Sequence, residues 1–127
     1  DLFGGPLPGA CLYAASGYVE RHREVCQAVA HAMVRALRWL QTAQPQDLIA
    51  TIPDSQFTED RALYLASFYK VRECYSVDGV LSSDAGRTTS TVAGALVESS
   101  WAGLDAAVER GHTNEFALKA KARWLRA

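Results

Sequence analysis

Ahead of Ser16 the apolar residues of this chain run together, and beyond it they recur at three- and four-residue intervals. The uninterrupted run is Ala10-Cys11-Leu12-Tyr13-Ala14, which predicts a short strand over residues 10–14, buried on both faces. Residues 2 to 9 lead into it as a loop stiffened by Pro6 and Pro8, with Gly4, Gly5 and Gly9 free to take unusual backbone angles. No other segment reads as a strand. A single strand cannot satisfy its own donors and acceptors, so the pattern calls for neighbouring strands outside this sequence. The chain also opens at Asp1 without an initiator Met, and it reads as the C-terminal part of a larger α/β protein.

The rest is helical by periodicity, with four to six helices expected. The strongest runs from about Val19 to Thr42, with Val25, Val29, Met33, Ala36, Leu37 and Leu40 on one stripe and Cys26 and Ala32 at its edges. Glu24, His31, Arg35 and Arg38 point the other way and are expected in solvent. Pro45 opens a short helix through Ile49, which Pro53 closes. Thr58 caps a third helix with Glu59 and Asp60 in its first turn, and Tyr64, Leu65, Phe68, Val71 and Tyr75 form its stripe. Asp78-Gly79 is a turn dipeptide. Ser82 or Ser83 caps a fourth helix carrying Val92, Ala93, Leu96 and Val97, although the β-branched stretch Thr88 to Val92 opposes it. A short helix over Trp101 to Glu109 ends at Gly111. Thr113 caps the last one, through Phe116, Leu118 and Trp124.

Composition narrows the class. At 127 residues, 49% hydrophobic and 21% charged, the chain is one domain's worth of ordinary globular sequence. A net charge of -1 and a pI near 6.3 give no electrostatic reason to expect nucleic acid or an anionic membrane. Lys119, Lys121, Arg123 and Arg126 read as a solvated basic face. No apolar run is long enough to span a bilayer. Cys11, Cys26 and Cys74 are too few and too scattered for a disulfide framework or a Cys-x-x-Cys zinc site.

Candidate chemistry is sparse. His22 and Cys26 stand four apart on a helix, without a third ligand nearby. His31 is expected in solvent and His112 in a turn. Cys11 lies in the predicted strand, which favours packing over nucleophilic work, and Cys74 has no partner in view. Asp54, Asp60, Asp78 and Asp84 are explained by caps and turns. Tyr64, Phe68, Tyr69 and Tyr75 read as core. Gly4-Gly5-Pro6 is the most site-like feature, because glycines before a strand permit close approach by a ligand or another chain segment. Its spacing is neither a Walker loop nor a dinucleotide fingerprint.

Several segments together resemble a known family. They are Phe3-Gly4-Gly5-Pro6 through Leu12-Tyr13-Ala14, Arg38-Trp39-Leu40, Pro45-Gln46-Asp47-Leu48, Ile52-Pro53, Asp60-Arg61-Ala62-Leu63-Tyr64-Leu65-Ala66, Tyr75-Ser76-x-Asp78-Gly79 and Thr113-Asn114-x-Phe116. The chain resembles the C-terminal half of nitrate/sulfonate/taurine-type ABC-transporter substrate-binding proteins, including the branch similar to thiamine-pyrimidine-precursor synthases. The resemblance spans nearly the whole chain but rests on packing and capping patterns. It implies an α/β parent fold of the type II periplasmic-binding kind, with two lobes closing on a solute. Residues 1–15 would be a return crossing and residues 16–127 buttressing helices.

The function this implies is solute binding for an ABC importer, periplasmic or membrane-anchored on the outer side. The solute would be a small sulfonate, nitrate-like or pyrimidine-like compound. The partners would be an ABC permease and the missing N-terminal half, with no cofactor. Gly4, Gly5, Pro6, Cys11 and Tyr13 would belong to the ligand or hinge region. Two alternatives stand beside it. One is an enzyme on the same scaffold, pyrimidine-precursor-synthase-like or desulfinase-like, with Cys11 as the residue to suspect. The other is a free-standing helical interaction module whose strand pairs with a partner or with its own copy, as a homodimer.

Overall fold

A computed structural model describes residues 3–57, 60–96 and 103–124. Among the described residues there are seven α-helices: α1 (Ser16–Arg21), α2 (Arg23–Thr42), α3 (Pro45–Thr51), α4 (Arg61–Val71), α5 (Ser83–Leu96), α6 (Leu104–Arg110) and α7 (Glu115–Trp124). Single 3-10 turns follow α3 at Asp54–Gln56 and α4 at Arg72–Cys74. The chain is mainly helical, as the periodicity predicts.

The strand expected over residues 10–14 does not form, and no strand occurs among the described residues. The segment is not buried either: Cys11 is exposed, Leu12 is 62% exposed and Tyr13 is 94% exposed. Ala15, at φ -63° and ψ 139°, leads from extended backbone into α1. An extended segment without a neighbouring strand has no ladder to join, so its groups stay with solvent. The apolar run that suggested two buried faces instead lies open.

The long helix is kinked. Residues 16–42 are divided at His22, whose φ of -129° and ψ of 44° leave the helical region. The main-chain ladder stops on either side of it: His22 N–H donates to the Tyr18 carbonyl and closes α1, and Cys26 N–H donates to the His22 carbonyl and opens α2.

Local signals set most of the remaining boundaries. Pro45 stands at the first turn of α3, and the Gln44 N–H donates to Asp47 Oδ2 at 2.9 Å. Asp60, expected in the first turn of α4, is its N-cap and accepts from Leu63 N–H at 3.0 Å. The predicted Thr58 cap lies outside the described residues. Ser82 caps α5 by accepting from Ala85 N–H at 3.1 Å. The Thr hydroxyls of α5 turn back on their own helix: Thr88, Thr89 and Thr91 donate to the carbonyls of Asp84, Ala85 and Arg87. That satisfies the hydroxyls without leaving the helical conformation, so the β-branched stretch is tolerated.

Helix α7 lies along α2, α6 packs on α5, and α1 and the turn after α4 meet α2. Between α2 and α7 sits the turn 76–81. Its Gly79 has φ +73°, and a Cβ there would lie 3.6 Å from Val34 Cγ2 and 3.7 Å from Leu37 Cδ1. Among the described residues the buried apolar side chains are few and mostly small: Val34, Ala43, Leu48, Ala85 and Ala120. On α5 the buried face is Ala85, Gly86, Thr88 and Ser90, whereas Leu96 of the predicted stripe is open to solvent.

Candidate functional site

The glycine-rich entry is not gathered into a site. Gly4 and Pro6 are exposed, and Gly4 takes φ +73° with open space around it. Gly5 backs onto α5, where a Cβ would fall 2.6 Å from Thr88 Oγ1, so the close approach here is to another segment of the chain. Cys11 and Tyr13 stand apart from it in solvent. Among the described residues no group of three or more His, Cys, Asp or Glu side chains is placed to hold a metal ion. The His22 ring lies against Tyr18 instead, 4.5 Å between centroids.

The structure turns α2 the other way from the sequence expectation. Its charged side, expected in solvent, carries α7. At one end the Arg23 guanidinium pairs with Glu115 and lies 5.3 Å from the Phe116 ring centroid. Gln27 Nε2 donates to the Phe116 carbonyl at 3.0 Å. At the other end Trp124 is enclosed by cations: Arg35 and Arg123 each lie 5.1 Å from its ring centroid, Arg38 donates to its carbonyl, and the His31 ring meets it edge-on at 6.4 Å. Shallow depressions flank Trp124 on both sides, one lined by Arg38, Trp39 and Thr42 and the other by Glu24, Gln27 and His31.

Electrostatics reinforce this seam. Hydrogen bonds from Arg23, then from Lys119, hold the Glu115 carboxyl at about 2, far below its ordinary value. The same contact raises Arg23. At the turn, burial pushes Asp78 up, but bonds from Lys121 Nζ and Val80 N–H outweigh it and hold the group below the usual carboxylate range. Asn114 completes the clamp with two bonds to Leu81, its Oδ1 accepting from the N–H at 2.9 Å and its Nδ2 donating to the carbonyl at 2.8 Å.

With its polar side committed to α7, α2 presents an apolar side to solvent. Turning about 100° per residue, Ala28, Ala32, Val25, Ala36, Val29 and Met33 fall in one arc of about 140° that contains no charged residue. Val25 is 41% exposed, Val29 43% and Met33 42%. Trp39 and Leu40 continue the arc at the C-terminal end. The sequence shows both arcs plainly; what it hides is which one faces inward. The missed signal is the Glu115-to-Trp124 spacing of α7, which matches Arg23 and the His31, Arg35 and Arg38 group along α2.

No helix among the described residues is long and apolar enough to cross a membrane. Neither a scan of protein-family models nor searches of curated proteins and of solved structures returned a match to this chain.

Proposed function

We propose that this chain is a helical interaction module whose outer α2 face is completed by another polypeptide. The supporting observation is surface area. The chain exposes 9543 Å², whereas a compact monomer of its mass would expose roughly 6,600 Å². The surplus, roughly 2,900 Å², is at least the roughly 1,000–2,500 Å² that each partner of an obligate assembly buries. The uncharged arc of α2 is the longest regular surface available to such a partner, about 30 Å over its 20 residues. Contiguous apolar surface of this kind marks docking sites in soluble proteins.

Light scattering at several protein concentrations, together with binding of an apolar-surface dye, tests this. An oligomer, or a monomer that binds the dye strongly, is expected. A dye-silent monomer with a cooperative melt overturns the reading.

A solute-receptor reading rests on the motif resemblance alone, and with it the extracytoplasmic location and the ABC permease partner. It predicts a ligand-dependent rise in melting temperature with taurine, nitrate, bicarbonate or a pyrimidine. No shift with any of the four counts against it.

A further inference from the structure

We propose that the partner of the outer α2 face is a second copy of this chain, docked with its α2 antiparallel about a two-fold axis. This rests on the interaction-module reading and names its partner. The pattern along the face is the first reason. Val25, Val29, Ala32 and Ala36 follow a 4-3-4 spacing, the seam of a two-helix coil. When two such helices run antiparallel and centre on the Ala30–His31 peptide, Val25 lies level with the partner copy's Ala36 and Val29 with its Ala32. The two-fold repeats both pairs, so four successive layers each contain one valine and one alanine. Large against small in every layer is the arrangement that fills a seam without voids. A parallel pair would set valine on valine and alanine on alanine, alternating crowding with gaps.

Charge gives the second reason. Glu24 and Arg35 border the face on the same flank, at about 100° and 120° on the helical wheel when Arg23 is taken as zero. In an antiparallel two-fold pair, like flanks meet. Each Glu24 then comes within about 3 Å, measured along the axis, of the level of the other copy's Arg35, giving two reciprocal pairs. In a parallel pair this flank would meet Cys26, Ala30 and Leu37, none of them charged. The uncharged arc itself brings no like charges together when it meets its own copy. The third reason is size: a standard interface takes about 800 Å² from each partner, well within the surplus exposed here.

The experiment uses the full chain with its three cysteines changed to serine. Sedimentation equilibrium should find a dimer. In a mixture of Val25→Cys and Ala36→Cys proteins under mild oxidation, the mixed disulfide should outweigh either self-linked product by about tenfold. Val29→Glu should weaken the dimer at least about 100-fold while leaving the far-ultraviolet helix signal unchanged. Glu24→Arg should weaken it about threefold to tenfold, and Glu24→Arg/Arg35→Glu should restore the affinity while lowering the melting temperature through loss of the Arg35–Trp124 contact. Self-linked Val25→Cys product in excess, or a dimer indifferent to Val29→Glu, overturns this pairing and leaves the module reading in place with another docking surface. A dye-binding monomer overturns the second-copy partner alone. A dye-silent, cooperatively melting monomer overturns both.

Discussion

Asn114 holds both main-chain groups of Leu81 with one carboxamide, doing the work of a neighbouring strand at a place where the chain has none. Replacing it by Ala leaves a half-buried N–H and C=O of Leu81 without these partners, at a cost of about 1–3 kcal/mol. Urea denaturation of Asn114→Ala should show that loss as a lower midpoint with an unchanged slope. Glu115 acts at the other side of the same helix start. Folding favours its ionised form, because its carboxyl is held near 2 against an ordinary 4.5. Its contribution is therefore whole above about pH 4.5 and is lost as pH falls through about 2. Glu115→Gln should lower the melting temperature at pH 6, and that difference should close progressively between about pH 4.5 and 2. A gap that persists at pH 2 would assign the effect to shape rather than charge.

At the scale of elements, what is local in the sequence is what could be read from it. Pro45 before α3, the Asp78-Gly79 turn and Ser82 before α5 each act on their own neighbours within a few residues, and the structure uses all three. Ser82→Ala should cost about 0.5–2 kcal/mol and be seen as faster hydrogen exchange across the first turn of α5. At residues 10–14 the apolar pattern is equally that of a buried strand and of a segment left bare, and the structure takes the second. Only the presence of partner strands separates the two. The facing of α2 is a relation between two helices. Its polar arc looks solvated until Trp124 and Glu115 of α7, more than eighty residues later, are set against it. Of the residues drawn from the glycine-rich entry, Gly5 makes the close approach expected of it, and the segment it meets is Thr88 of α5.

The molecule as a whole is defined by how little it encloses. Among the described residues two sizeable apolar side chains, Leu48 at 1% and Val34 at 2%, are the largest that are fully buried. The α2–α7 seam adds cation–aromatic and ionic contacts to the small buried residues Val34 and Ala120, and exposed ion pairs add little to stability. If the outer α2 face docks on a second copy, as proposed, stability follows mass action. The melting temperature should rise with protein concentration over a hundredfold range, and the dependence should vanish in Val29→Glu. A melting temperature constant across that range in the unmodified chain would show that the protomer needs no second copy.

The bend at His22 bears on where that association can begin. Because the main-chain bonds end at His22 on one side and begin at it on the other, turning this joint requires a change at one residue's dihedral angles and breaks no ladder bond. The Tyr18 ring, tilted 39° to the imidazole at 4.5 Å between centroids, is the side-chain contact such a turn would change. The first six helical residues thus form a lever pivoting on a single position, and the angle of that lever sets how much of the opening turn of α2 an approaching rod can reach.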